Sequence, residues 1–267
     1  MKHATILGAI AGDIIGSVYE FKPTKDYNFN LYVDNMCPTD DSVMTVAVAD
    51  WLINDVTLSH SQLAETMRKW GHKYPRAGYG GHFYLWLADK KQGPYNSWGN
   101  GSAMRVSPVG FAFDTLENTL EAAKISAEVT HNHPEGIKGA QATAAAIYLA
   151  RNGASKKEIK EYITENFGYD LNMKCSDIRT AYSYEESCQR SVPQSICSFL
   201  DSTDYESCVR EAVSLGGDAD TMAAIAGGIA AAFYGSMPDG IYDMAFSKMS
   251  DDMKAVVDQF DSLHPCR

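Results

Sequence analysis

The N-terminal apolar segment, residues 4 to 19, carries the pattern that most restricts how this chain can fold. Gly8, Gly12 and Gly16 recur at every fourth position, which places them along one stripe of an α-helix. A stripe without side chains lets a neighbouring backbone approach closely, although glycine lowers helix propensity. We therefore predict a helix buried in the centre of a bundle, in which Asp13 is a polar exception that needs an explanation.

The rest of the sequence also favours helices over strands. Apolar residues recur at helical spacing in segments such as Asp41 to Asn54 and Ala103 to Phe113, and Pro108 is expected to break or kink the second. No sustained alternation with a period of two occurs, so there is little room for a sheet. Helix starts are marked by three capping-box signals: Ser59 with Gln62, Asp114 with Glu117, and Ser155 with Glu158. Since no internal repeat or low-complexity linker interrupts the sequence, residues 1–267 are predicted to form one compact all-α domain.

The composition argues against several classes of partner. The formal net charge is -11 and no run of Lys and Arg forms a basic patch, which argues against nucleic acid or an anionic membrane as partners. The apolar run from Met222 to Tyr234 is too short for a bilayer. Asp13 and Glu20 interrupt the N-terminal segment, which is therefore not expected to be a signal peptide. We expect a cytoplasmic protein with six free thiols, at Cys37, Cys175, Cys188, Cys197, Cys208 and Cys266.

Two acidic segments lie far apart in the sequence but share a composition. Thr39-Asp40-Asp41 and Asp218-Ala219-Asp220-Thr221 each offer a hydroxyl and two carboxylates at the entrance to an apolar helical run. Side chains two residues apart point to different sides of a regular helix. Asp218 and Asp220 are therefore expected to lie in a non-helical turn before the helix begins, if they act at one site.

Each acidic segment alone fits a helix cap, because Thr and Asp are favoured beside the free N–H groups and the positive dipole end. Together the two segments offer more carboxylates than capping can use. Four carboxylates brought together would repel one another unless a cation neutralised them, and hard cations prefer oxygen ligands. The pair therefore favours a magnesium-type site with one or two ions.

Two glycine-rich loops, residues 74 to 81 and 93 to 102, are candidates for ligand binding. Their glycines also suit ordinary turns. Glycines interleaved with Tyr79, Asn100 and Ser102 are nevertheless what a nucleotide diphosphate or a sugar needs, because backbone N–H groups can meet phosphate. Neither loop matches a Walker or dinucleotide-binding pattern.

His131 and His133, which precede a predicted helix, could bind zinc. No cysteine or third histidine lies at zinc spacing from them. Polar packing is therefore the favoured interpretation of this pair.

Five motifs spread over nearly the whole chain resemble those of one enzyme family. They are Gly8-Ala9-Ile10-Ala11-Gly12-Asp13 through Glu20-Phe21, Thr39-Asp40-Asp41-Ser42, Gly99-Asn100-Gly101-Ser102-Ala103-Met104-Arg105, Thr130-His131, and Gly216-Gly217-Asp218-Ala219-Asp220-Thr221. In this order they resemble the ADP-ribosylglycohydrolase family, which includes the dinitrogenase reductase-activating glycohydrolases. The resemblance implies an orthogonal helical bundle with a dinuclear Mg²⁺ or Mn²⁺ centre at one end. It also implies release of ADP-ribose from an ADP-ribosylated protein or an ADP-ribose-containing small molecule.

The resemblance also implies roles for individual residues. Glu20 resembles a mobile glutamate that closes over the metals, and Glu20 or Asp41 would orient the attacking water or relay its proton. The implied metal ligands are Thr39, Asp40, Asp41, Asp218, Asp220 and Thr221. The implied substrate-binding residues are Gly78, Tyr79, Gly80, Asn100, Gly101, Ser102 and His131.

One position departs from the family pattern. Several members carry an Asp-Ile-Gly type sequence where this chain has Arg76-Ala77-Gly78, and Ala77 has no carboxylate. The acceptor therefore stays open among arginine, serine, a nucleic-acid end and a free metabolite such as O-acetyl-ADP-ribose. Two other functions also stay open: a catalytically silent ADP-ribose-binding or crystallin-type relative, and a metal-assisted phosphoesterase. The complete ligand set together with Glu20 favours a hydrolase over a silent relative, whereas a phosphoesterase would use the same carboxylates and differs only in its products, AMP or phosphate.

Overall fold

Helices and loops make up residues 1–265, which are the residues that the computed structural model describes. Within this range there is no strand, only two isolated bridges. The helices are α1 (Leu7–Gly16), α2 (Asp40–Asn54), α3 (His60–Lys73), α4 (Gly81–Ala88), α5 (Gly101–Met104), α6 (Ser107–Ala112), α7 (Leu116–Glu128), α8 (Pro134–Arg151), α9 (Lys156–Phe167), α10 (Cys175–Ala181), α11 (Cys188–Asp201), α12 (Tyr205–Ser214), α13 (Ala219–Tyr234), α14 (Asp239–Lys248) and α15 (Asp251–Leu263). The prediction of an all-α fold is confirmed.

The glycine-striped helix α1 packs along α13, and both helices are buried over nearly their whole length. A Cβ atom on Gly8 would lie 2.3 Å from Ala231 Cβ, and one on Gly12 would lie 2.1 Å from the backbone oxygen of Ala223. Real Cβ atoms do not approach other heavy atoms this closely, so only glycine allows the contact. The prediction of a close backbone approach at this stripe is confirmed.

The other helices surround this central pair. Helix α13 also packs against α8, α11 and α12, and α1 also packs against α2 and α14. The hydroxyl of Tyr205 on α12 donates to the backbone oxygen of Gly8 at 2.6 Å, which ties α12 to the central pair. The buried side chains form one continuous core, and the described residues therefore make up a single compact domain.

The predicted break of the helix near Pro108 is confirmed, whereas the predicted cap of α7 is wrong. The segment around residues 103–113 forms two short helices, α5 and α6, and Pro108 lies in the first turn of α6. A proline is tolerated there because backbone N–H groups in the first turn have no partner within the helix. The cap of α7 is Thr115 rather than Asp114, because the Thr115 hydroxyl accepts from the Asn118 N–H at 3.2 Å. The capping box of Ser155 with Glu158 is confirmed.

The cysteines within the described residues are all free thiols: Cys37, Cys175, Cys188, Cys197 and Cys208. Cys266 lies outside the described residues. In the same part of the chain, no helix combines the length and the apolar character that crossing a bilayer requires.

The close contact of α1 with α13 gives the first testable prediction. Gly12→Ala should destabilise the protein by about 2 kcal/mol or more, because the added methyl meets the backbone of α13 rather than a side chain that can turn away. Urea unfolding followed by circular dichroism measures the change. Gly81→Ala is the matched control, since Gly81 is also helical but nothing lies within 4 Å of its added Cβ. Equal stability of the two variants would contradict the packing argument.

Candidate active site

The two acidic segments of the sequence meet at one point in the fold. Carboxylate oxygens of Asp13, Asp41 and Asp220 lie within 4.8 Å of one another. Oxygens of Glu20, Asp218 and Asp220 form a second group within the same limit. Asp220 belongs to both groups, so the two groups are neighbours in one acidic cluster.

The starts of α2 and α13 position the side chains of this cluster. Asp218 precedes α13 and makes no capping hydrogen bond with its side chain, whereas Asp220 lies in the first helical turn. The prediction that both residues lie in a non-helical turn is therefore wrong for Asp220. The two side chains converge because only Asp218 has a non-helical backbone. The Thr221 hydroxyl donates to Asp41 Oδ2 at 3.3 Å and so joins α13 to α2.

Asp13 fixes the first acidic segment, Thr39-Asp40-Asp41, by hydrogen bonds to the start of α2. Its fully buried carboxylate accepts from the Thr39 N–H at 2.9 Å, from the Thr39 hydroxyl at 2.7 Å and from the Ser42 N–H at 3.0 Å. The Ser42 hydroxyl donates to it as well. Asp13 thus caps the start of α2 from another helix, in addition to the cap that the Thr39 hydroxyl provides. Burial raises the pKa of Asp13 to about 6, although these hydrogen bonds lower it.

Burial and mutual repulsion dominate the electrostatics of the cluster. Burial, reinforced by repulsion from Asp13 and Asp218, raises the pKa of Asp40 to about 8. Burial also raises the pKa of Glu20 to about 7, and Asp218 adds to this shift. The pKa of Asp41 lies well above its ordinary value for the same reasons. Carboxylates in this arrangement favour any ligand that brings positive charge.

The donor set fits a hard divalent cation. One oxygen of the buried Asp41 carboxylate, Oδ1, has no hydrogen-bond partner within residues 1–265. A buried carboxylate oxygen without a partner is costly in a folded protein, and a cation would satisfy it. The cluster offers only carboxylate and hydroxyl oxygens, which are the ligands that Mg²⁺ and Mn²⁺ prefer.

The acidic cluster opens into a groove of about 370 Å³, a size suited to a small-molecule ligand. Most predicted site residues line this groove: Glu20, Asp40, Asp41, Gly78, Tyr79, Gly80, Asn100, Gly101, His131, Asp218, Asp220 and Thr221. Thr39 lies behind the lining, with its hydroxyl 3.3 Å from Asp41 Oδ2.

Ser102 is placed differently from the sequence prediction, which put it at the substrate. It is fully buried, and its hydroxyl donates to the backbone oxygen of Gly136 at 2.7 Å. Its side chain therefore supports the start of α8 instead of lining the groove.

The second glycine-rich loop is fixed to the acidic cluster by Asn100. The Asn100 N–H donates to the backbone oxygen of Glu186 at 2.7 Å, and its side-chain amide donates to Asp218 Oδ2 at 2.7 Å. A Cβ on Gly101 would lie 3.0 Å from His131 Nε2, so the glycine leaves room for that ring.

The first glycine-rich loop supports the cluster through its backbone. The Asp40 N–H donates to the backbone oxygen of Ala77 at 2.8 Å. This loop therefore contributes a backbone carbonyl that holds a candidate metal ligand.

Comparison with known proteins matches the chain to the family described as ADP-ribosylglycohydrolase over residues 3–263. The chain belongs to the ADP-ribosylglycohydrolase family. It is therefore an enzyme of a family of hydrolases that act on glycosyl bonds.

Two relatives and one solved structure align with most of the chain. The ADP-ribosylhydrolase ARH3 of Mus musculus is 28% identical, with 86% of this chain and 82% of the relative covered. The ADP-ribosylarginine hydrolase Tri1 of Pseudomonas putida is 25% identical, with 91% of this chain and 74% of the relative covered. A solved structure titled ADP-ribosylglycohydrolase-related protein complex has the same fold, with a TM-score of 0.72, 21% identity and coverage of 97% of this chain and 96% of that one.

The sequence of this ADP-ribosylglycohydrolase gives no role to several residues of the acidic cluster and the groove. Asp13 stands inside a family motif, but the sequence marks it only as a polar exception in an apolar helix. Tyr184 and Glu186 also line the groove, but they lie in a segment without clear periodicity, so no sequence signal marks them. Phe21 and Arg105 stand inside family motifs, yet neither residue type suggested a role there.

The cluster geometry gives the second testable prediction. Mg²⁺ or Mn²⁺ should raise the melting temperature by roughly 5 °C or more at a hundredfold excess over Kd, and EDTA should reverse the rise. Asp41→Asn should lose most of this increment while melting no lower than the metal-free wild type, because it removes one of several repelling charges. Differential scanning calorimetry measures both effects.

Asp243→Asn is the matched control for this experiment. Asp243 is an exposed acid that pairs with Lys2 on another part of the surface, so its variant should keep the full metal-dependent increment. An equal increment in Asp41→Asn would exclude the acidic cluster as the cation site.

Proposed function

We propose that the protein is a metal-dependent hydrolase that cleaves the glycosidic bond between ADP-ribose and an acceptor. The observation that carries this proposal is the meeting of two groups of carboxylates at the surface of one groove. Relatives named ADP-ribosylhydrolase and ADP-ribosylarginine hydrolase support the same class of substrate.

We propose two divalent cations, Mg²⁺ or Mn²⁺, as cofactors. The division of the cluster into two groups that share Asp220 supports a pair of neighbouring ions. The proposed ligands are Thr39, Asp40, Asp41, Asp218, Asp220 and Thr221. When bound, the ions would neutralise the carboxylates, hold ribose hydroxyls and lower the pKa of a water molecule at the site.

The walls of the groove support binding of the ADP-ribose moiety. Gly78, Gly80 and Gly101 line the groove, and glycines without side chains suit backbone N–H contacts with the oxygens of a diphosphate. Tyr79 presents an aromatic ring in the same wall, and His131 lines the groove beside Gly101. These residues would hold the substrate so that its anomeric carbon faces the acidic cluster.

Glu20 and Asp41 are the residues that we assign to the attacking water. Glu20 lies in the bend after α1, half-buried at the groove surface, with a carboxylate oxygen close to those of Asp218 and Asp220. A carboxylate in this place can take the proton of the water that attacks as oxocarbenium character develops at the ribose. Asp41 is buried and held by Thr221, so we assign it to orienting that water.

The entrance of the groove is aromatic and acidic, which supports a basic acceptor. Phe21 and Tyr184 are 79% and 44% exposed, and their ring centroids lie 6.3 Å apart in a stacked arrangement. The Tyr184 hydroxyl donates to Glu186 Oε1 at 2.9 Å. Aromatic faces and carboxylates attract guanidinium and ammonium groups. We therefore propose an ADP-ribosylated protein whose modified segment carries Arg or Lys.

Product analysis by mass spectrometry tests this function. The substrates are Arg-linked and Ser-linked ADP-ribosylated peptides, each with and without flanking lysines, and O-acetyl-ADP-ribose. We expect ADP-ribose and the free acceptor as products, only when Mg²⁺ or Mn²⁺ is present, and faster turnover of the basic peptides. AMP or phosphate as the product would identify phosphoester hydrolysis, and binding without turnover would identify a silent relative. Either result would contradict the proposal.

The assignment of Glu20 gives the third testable prediction. Glu20→Gln should lower kcat by about 100-fold or more while it keeps affinity for ADP-ribose, because the amide retains the shape but cannot take a proton. Single-turnover kinetics and calorimetric titration with ADP-ribose separate the two quantities. Full turnover in both Glu20→Gln and Asp41→Asn would refute the roles given to these carboxylates.

A further inference from the structure

Arg105 is a buried cation whose hydrogen-bond partners among residues 1–265 are all neutral oxygens. Its side chain is fully buried at the foot of the groove wall that Asn100 and Gly101 form. The guanidinium donates to the backbone oxygens of Gly101 and Ser126, at 2.9 Å each, and to the Thr130 hydroxyl at 2.8 Å. Within the described residues it forms no ion pair with a carboxylate. Burial lowers its pKa to about 10, so the group remains charged at neutral pH.

The Thr130 hydroxyl connects this cation to His131. Its oxygen lies 2.8 Å from the Arg105 guanidinium and 2.7 Å from His131 Nδ1. A guanidinium only donates, so the threonine oxygen accepts from Arg105. The hydroxyl proton of this buried group then needs an acceptor, and His131 Nδ1 is the one within reach. Nδ1 therefore accepts and carries no proton.

His131 itself is neutral. Burial and the nearby charge of Arg105 hold its pKa well below the ordinary value. A neutral imidazole carries its single proton on one nitrogen only. Because Nδ1 accepts from Thr130, that proton lies on Nε2. Nε2 has no hydrogen-bond partner within residues 1–265, and it lies at the groove surface beside Gly99 and Gly101.

We propose that Arg105 and Thr130 are positioning residues that lock His131 as the Nε2–H tautomer, which makes it an obligate hydrogen-bond donor to a ligand oxygen in the groove. The ligand part of this inference rests on the proposed function, since ADP-ribose would supply the oxygen from its phosphates or ribose. A locked donor disfavours a ligand that presents only N–H groups at this point, because two donors would face each other. It also excludes His131 Nε2 as a general base or a metal ligand.

The tautomer is measured directly in the full-length protein by NMR. Long-range ¹H–¹⁵N correlation spectra of the ¹⁵N-histidine-labelled protein distinguish protonated from unprotonated ring nitrogens, and the signals missing from His131→Gln assign those of His131. We expect Nε2 protonated and Nδ1 unprotonated between pH 6 and 8. A protonated Nδ1, or shifts averaged between the two tautomers, would overturn the proposal without any functional assay.

Matched variants test the relay, which is the hydrogen-bond chain from Arg105 through the Thr130 hydroxyl to His131 Nδ1, and its effect on binding. Thr130→Ser keeps the hydroxyl and should keep the Nε2–H tautomer. Thr130→Val has nearly the same shape but no hydroxyl, so the two ring nitrogens should show averaged shifts. ADP-ribose should bind Thr130→Val about tenfold more weakly than Thr130→Ser, the loss expected when one donor to a charged oxygen is no longer fixed. Equal affinity and an unchanged tautomer in Thr130→Val would exclude the relay, provided that its melting curve shows a folded protein.

A second pair of variants tests the donor itself. His131→Gln places an amide nitrogen near the position of Nε2, whereas His131→Asn places one near Nδ1. We expect His131→Gln to bind ADP-ribose about tenfold more tightly than His131→Asn, and the reverse order would overturn the proposal.

The tautomer result is independent of catalysis. Spectra that show His131 protonated only at Nε2, together with no release of ADP-ribose, would therefore refute the proposed function alone. Release of ADP-ribose, together with spectra averaged between the two tautomers, would refute this inference alone.

Discussion

The close approach of α1 to α13 is the contact on which the rest of the site depends. A Cβ on Gly16 would lie 2.4 Å from the Cα of Asp220, so the glycine stripe sets the position of an acidic residue as well as the packing of two helices. Asp13, on the same helix α1, binds the start of α2 and thereby positions Asp41. One helix therefore brings together two segments that are distant in the sequence.

This arrangement concentrates negative charge where burial makes it most costly. Burial and neighbouring carboxylates raise the pKa of Asp41 and Asp220 well above ordinary values. Hydrogen bonds from Asn100 to Asp218 and from Thr221 to Asp41 offset part of that cost. Yet Asp41 Oδ1 is left without a partner within the described residues. A protein without a use for a cation would gain stability by losing one of these carboxylates, which supports a functional reason for the whole set.

Much of the fold and part of the site follow from local sequence patterns. The glycine stripe predicts the buried central helix, the absence of period-two alternation predicts the all-α class, and the matching acidic segments predict one shared site. The role of Asp13 could not be predicted, because its partners Thr39 and Ser42 come from another helix. Glu186 lies in a segment without periodicity, and Ser102 has its hydroxyl bonded inside the fold by a contact with α8. Thr115 rather than Asp114 caps α7, since both residue types suit that position and only the course of the chain decides.

Anomalous diffraction from crystals grown with Mn²⁺ tests the central claim most directly. The two carboxylate groups that share Asp220 predict two neighbouring peaks, both within coordination distance of oxygens from Asp41, Asp218 or Asp220. One or more ions bound elsewhere in the protein, with no anomalous density among these carboxylates, would contradict the assignment of a metal centre to the acidic cluster.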